Sequence, residues 1–164
     1  MRFGFNSFFW GLWINGNGTL VLEEILLRIA KRLRRFKSNA DLTEANLAKI
    51  ERDIFTGFFA MRKLFDSLGA VTDATKSSLV QLSYYTNLTE VTWINNHRIE
   101  DLYNLDRHHC ETRDLKFVAG RIIHSFIYIP YTGEEGGLRG IFFTSGIDKN
   151  KNYTQYNRRC DRCL

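Results

Sequence analysis

The chain has 164 residues, a net charge of +5, 44% hydrophobic residues and 25% charged residues. That is the length of one domain and the composition of an ordinary globular protein, so a normal apolar core needs no metal or disulfide staple. One proline, Pro130, and no linker-like stretch exclude an extended disordered segment, and the positive charge admits RNA or another polyanion as a partner without requiring one.

The N-terminus carries an aromatic run that includes Phe8, Phe9, Trp10 and Trp13. It is shorter than the ~20 apolar residues a bilayer span needs, and it lacks the small-residue site that ends a secretory signal. No membrane association is therefore expected, and Phe9 and Trp13 are expected to pack on the core. The three cysteines, Cys110, Cys160 and Cys163, are an odd set with two at the extreme C-terminus. That is a poor disulfide framework and predicts a reducing, cytoplasmic setting, in which the sequons at Asn17, Asn87 and Asn152 are chance matches.

Leu22, Ile25, Leu26, Ile29, Leu33 and Phe36 fall on one face of a first helix. Lys31, Arg32, Arg34, Arg35 and Lys37 gather at its end, where cations complement the helix dipole. The same residues, Lys31, Arg32, Arg34 and Arg35, are the candidate nucleic-acid contact. Arg158, Arg159 and Arg162 form a second basic cluster. Asp41 with Glu44 reads as a capping box that opens a second helix from Leu42 to about Leu68, stopped by Gly69. A short connection between two long helices predicts an antiparallel pair.

Beyond Gly69, alternation at Val80, Leu82 and Tyr84 predicts a strand. Glu90–Ile94 reads as a second short strand, and Ile99–Leu105 as a short helix or turn. Leu115, Val118, Ala119 and Ile122 mark a third helix that starts at Arg113 or Asp114 and ends near Ile123. Phe126–Ile129, ended by Pro130, then Leu138–Ser145 and Tyr153–Tyr156 predict three short strands in a meander. The expected fold is α+β in a single domain over 1–164. A bundle of about three main helices (20–125) carries a small antiparallel β-meander (126–157).

The strongest candidate chemistry lies where the third helix meets the first meander strand. Arg121 and His124 are three residues apart and share a helix face. Arg offers a permanent cation and His a proton near neutral pH, so the pair, with Arg113 as a further cation, could cleave RNA without metal. The competing expectation is that His124 satisfies backbone groups at the helix end. His108, His109 and Cys110 with Cys160 and Cys163 are the one zinc-like set, but a single C-x2-C at a terminus is weak support. No metal ligands or cofactor are assigned. Glu100, Asp101, Asp106 and Glu111 read as solvated surface. There is no P-loop, nucleophile elbow or dinucleotide fingerprint.

The stretch Glu51–Asp66, ERDIFTGFFAMRKLFD, resembles the second helix of bacterial HEPN-like helical domains, and Arg113–Phe126 resembles their later Arg/His-bearing helix. The resemblance covers about a third of the chain. It implies a small helical protein of a defence, toxin–antitoxin or RNA-processing system, often a dimeric metal-independent endoribonuclease. Its active motif places a His four to six residues after an Arg. Here Arg121 precedes His124 by three positions and Arg113 by eleven, so the pattern is absent as written. The expectation is a non-catalytic interaction or regulatory protein whose partners are RNA, another protein or a second copy. The alternatives are a ribonuclease built on His124 and a zinc-stabilised module.

Overall fold

A computed structural model describes residues 20–37, 42–67, 71–133 and 136–156. The N-terminal aromatics, Asp41, Gly69, both terminal cysteines and the C-terminal arginines lie outside the described residues. Helix α1 (Leu20–Arg35) turns Leu26, Ile29, Ala30 and Leu33 inward, as its apolar stripe predicts. Helix α2 (Glu44–Asp66) is capped by Thr43, whose hydroxyl accepts the Asn46 N–H at 3.3 Å. Thr43 thus does the capping assigned from sequence to Asp41, because a hydroxyl one residue before the first turn reaches the orphan amides. The two helices close on each other at Gly57, where an added Cβ would already touch Ile29 at 3.5 Å.

A short helix α3 (Asp73–Lys76) leads into strand β1 (Leu79–Asn87). Then follow α4 (Ile99–Leu102), β2 (Tyr103–Asp114), α5 (Leu115–Ile123), β3 (Ser125–Thr132), β4 (Leu138–Ser145) and β5 (Asn152–Tyr156). The fold is α+β, with most strands in the C-terminal half. All pairings are antiparallel, and the five strands form one sheet in the order β2-β1-β5-β4-β3. The expected meander β3–β4–β5 is present, and β5 joins it to the β1–β2 pair.

Three sequence expectations are corrected. The short helix expected over Ile99–Leu105 is α4, Ile99–Leu102, and Tyr103 instead opens β2, the longest of the described strands. It lies at the sheet edge, where charged side chains are tolerated and no apolar alternation is imposed. Glu90–Ile94 is not a strand. Asn95 accepts the Thr92 N–H at 2.7 Å and donates to Glu90 O at 2.9 Å, which folds the segment into a turn. Pro130 does not end β3, because β3 is the other edge and needs no N–H on its outer side.

The helices cover one face of the sheet, with α5 between it and the α1–α2 pair. Ile29, Leu33, Ile50 and Ile54 meet Val118 and Ile122 of α5, and these meet Leu82, Ile141 and Phe143 of the sheet. Each such side chain contributes about 1.5–3 kcal/mol when fully buried. On the opposite face Val91, Leu102, Tyr103 and Ile127 form a smaller core beneath the 88–102 connection. Among the described residues, no helix is long and apolar enough to cross a membrane.

Candidate functional site

Two local rules build the site. Asp114 caps α5 by accepting the Phe117 N–H at 2.7 Å, which fixes the helix start. Phe117 and Arg121, four residues apart, then project from one helix face. On β2, Glu111 and Arg113 lie two residues apart and so share the face that carries Leu82. The two arrays converge. The guanidinium carbons of Arg113 and Arg121 each lie 4.8 Å from the Phe117 ring centroid. They are therefore no further apart than twice that distance.

Each arginine is steered by a carboxylate. Arg113 Nε and Nη2 reach Glu111 Oε2 at 2.9 and 2.8 Å. Arg121 Nε lies 2.8 Å from Asp148 Oδ2, but its N–H is not aimed along that line, so the contact is an ion pair without a formal hydrogen bond. Asp148 is itself held in place: Ser145 Oγ donates to its Oδ2 at 2.8 Å, and the Asp148 N–H points back to Ser145 Oγ at 3.3 Å. These side chains, with Phe143, Thr144 and Thr154, enclose a cavity of about 110 Å³. That is room for a few waters or one tetrahedral oxyanion. Several guanidinium donors stay uncommitted after the carboxylates are served, because each fork carries five N–H groups.

His124 goes elsewhere. It caps the C-terminus of α5, giving its N–H to Gly120 O at 3.2 Å and accepting the Gly146 N–H on its carbonyl at 3.4 Å. Its side chain is exposed and does not line the cavity. The structure thus joins Arg121 to Arg113, not to His124. The partners that sequence reasoning missed are Phe117, Glu111 and Asp148. A usable signal was the Phe117–Arg121 spacing, but the Asp148 contact spans the chain and has no local signature.

The basic cluster on α1 is divided. Arg32 Nε and Nη2 bind Asp53 Oδ2 and Oδ1 at 2.6 and 3.0 Å, across to α2. Arg52 adds a contact to Asp53 Oδ1 at 3.2 Å. Burial alone would raise the Asp53 carboxyl, yet the hydrogen bonds from Arg32 and Arg52 outweigh it and hold the group below the usual carboxylate range. Arg34 is half-buried, while Lys31 and Arg35 are exposed. Arg32 thus ties α1 to α2 through Asp53.

Among the described residues, no group of three or more His, Cys, Asp or Glu side chains could hold a metal. The strand period explains why. His108 faces Tyr85 and His109 faces Tyr84, so the neighbouring imidazoles lie on opposite sheet faces. Contrary to the expectation of reduced thiols, Cys110 is disulfide-bonded, and its partner lies outside the described residues. Comparison with protein-family models, with curated proteins and with solved structures finds no match to this chain.

Proposed function

We propose that this chain is a non-catalytic binding protein whose site is the Arg113–Phe117–Arg121 cavity, and that the site takes a phosphate-type oxyanion. One observation carries the reading: two permanent cations converge on one small polar cavity, while His124, the proton-transfer group proposed from sequence, lies outside it. The planar guanidinium fork matches phosphate oxygens two at a time. The Phe117 ring, which both forks contact, helps to orient them when no ligand is bound. The Glu111 and Asp148 carboxylates fix each fork from behind and leave the remaining N–H groups for the ligand. In this reading the interaction and regulatory role implied by the HEPN-like resemblance is exercised through anion recognition.

Titration with inorganic pyrophosphate at low salt, followed by calorimetry, tests it. Saturable binding is expected, weakened at least about tenfold in Arg121→Gln, in line with loss of a charge-assisted bidentate contact. Absence of saturation in the unaltered protein sinks the proposal. An RNA-cleavage assay in EDTA tests the non-catalytic part. Cutting that disappears in His124→Ala would instead establish the ribonuclease alternative.

A further inference from the structure

We infer that the ligand is a single-stranded polynucleotide, with one phosphate in the Arg113–Arg121 cavity and a neighbouring base on the Tyr84–His109 ring pair. The inference rests on the anion-binding reading above. Its starting point is a second feature on the same sheet face. The Tyr84 and His109 rings stack with centroids 5.1 Å apart and planes 18° apart. Tyr84 is the register partner of both His109 on β2 and Thr154 on β5. Thr154 lines the cavity, as does Glu111, two residues along β2 from His109. At ~3.4 Å rise per residue the ring pair is ~7 Å from Glu111 and ~14 Å from Arg113 along the strand.

The helices leave this part of the sheet open. They bury Leu82, Ile141 and Phe143, whereas Tyr84 and His109 are only half-buried and Thr86 is exposed. β2 is an edge strand, and among the described residues no further strand lies beyond His109 in the sheet. A flat ring can therefore add to the stack from the open side. Arg107, two residues before His109 on β2, is exposed beside the ring pair. Aromatic faces for bases beside arginines for phosphates, set along a sheet, are how single strands are gripped without reading sequence. A duplex offers phosphates but keeps its bases stacked away, so it satisfies the cavity and not the ring pair.

The probe is a fluorescein-labelled oligouridylate, which has no secondary structure, measured by anisotropy at low salt beside the pyrophosphate titration. The unaltered protein is expected to bind it more tightly than pyrophosphate. His109→Ala and Tyr84→Ala should each weaken oligouridylate by about 5- to 100-fold, as expected for loss of one stacked base, while pyrophosphate binding stays within about twofold. Tyr84→Phe, which keeps the ring, should restore binding. His109→Ala sits at the sheet edge and provides the test should Tyr84→Ala fold poorly. Oligouridylate that does not bind, or that binds equally well in His109→Ala, overturns the inference while leaving pyrophosphate binding intact. A duplex competitor as effective as the single strand overturns it too. Loss of pyrophosphate binding itself would mark failure of the underlying reading instead.

Discussion

Asp53 is the residue on which the helix pair turns. Its side chain is 3% exposed, and its charge is balanced by Arg32, which stays 45% exposed. Such a carboxylate is costly to leave alone, because the penalty for an unpaired buried charge exceeds the worth of the pair. Arg32→Ala is therefore expected to lower unfolding free energy by about 1–3 kcal/mol, discounted for the exposed partner and for the remaining contact from Arg52. The carboxyl is held below its unfolded value, so its stabilising contribution is complete above pH ~4 and is lost as pH falls through the folded value. In Asp53→Asn that acid limb should be missing from the dependence of the urea midpoint on pH. An unchanged limb would show that other carboxylates control acid unfolding. In the sequence Asp53 sits between Arg52 and Ile54, with nothing local to mark it as buried. Its partner, twenty-one residues earlier, was hidden among four neighbouring cations.

The hairpin joining β3 to β4 shows how elements lock together. Leu138 N–H donates to Phe36 O at 2.7 Å, which satisfies a carbonyl just past the end of α1. Gly137 makes the approach possible. Its φ is +77°, and a Cβ there would lie 2.5 Å from Lys37 O. Gly137→Ala meets both the left-handed penalty and the clash, and is expected to cost about 2 kcal/mol or more in urea unfolding. A wild-type midpoint would show that the hairpin does not dock on α1. The helices were legible because each shows its period locally: α1 and α5 match their apolar stripes, and α2 differs only at its ends. β2 was not legible, since an edge strand carries DRHHCETRD with little apolar alternation. The site inherited that blindness. Arg113 and Arg121 stood out as cations, but only the β2–α5 junction shows that they share one ring.

At the scale of the molecule, β5 is the keystone. It pairs with β1 on one side and β4 on the other, with Thr154 facing Tyr84 and Phe143 in the two registers. Without it, the sheet is two separate hairpins on one helical layer. Thr154→Pro removes a central N–H and cannot be hidden at an edge, so a loss on the order of 3 kcal/mol or more is expected, with broadened, non-cooperative thermal unfolding. A sharp transition near the wild-type temperature would contradict this assembly. The same placement has a consequence in time. Of the described strands, β5 is synthesised last, yet it occupies the middle of the sheet and lines the cavity. Until it emerges, β1 and β4 present bare inner edges, and the arginine cavity lacks its Thr154 wall. A half-made chain is thus open to wrong strand pairing and blind to its ligand, and only the arrival of β5 ends both states at once.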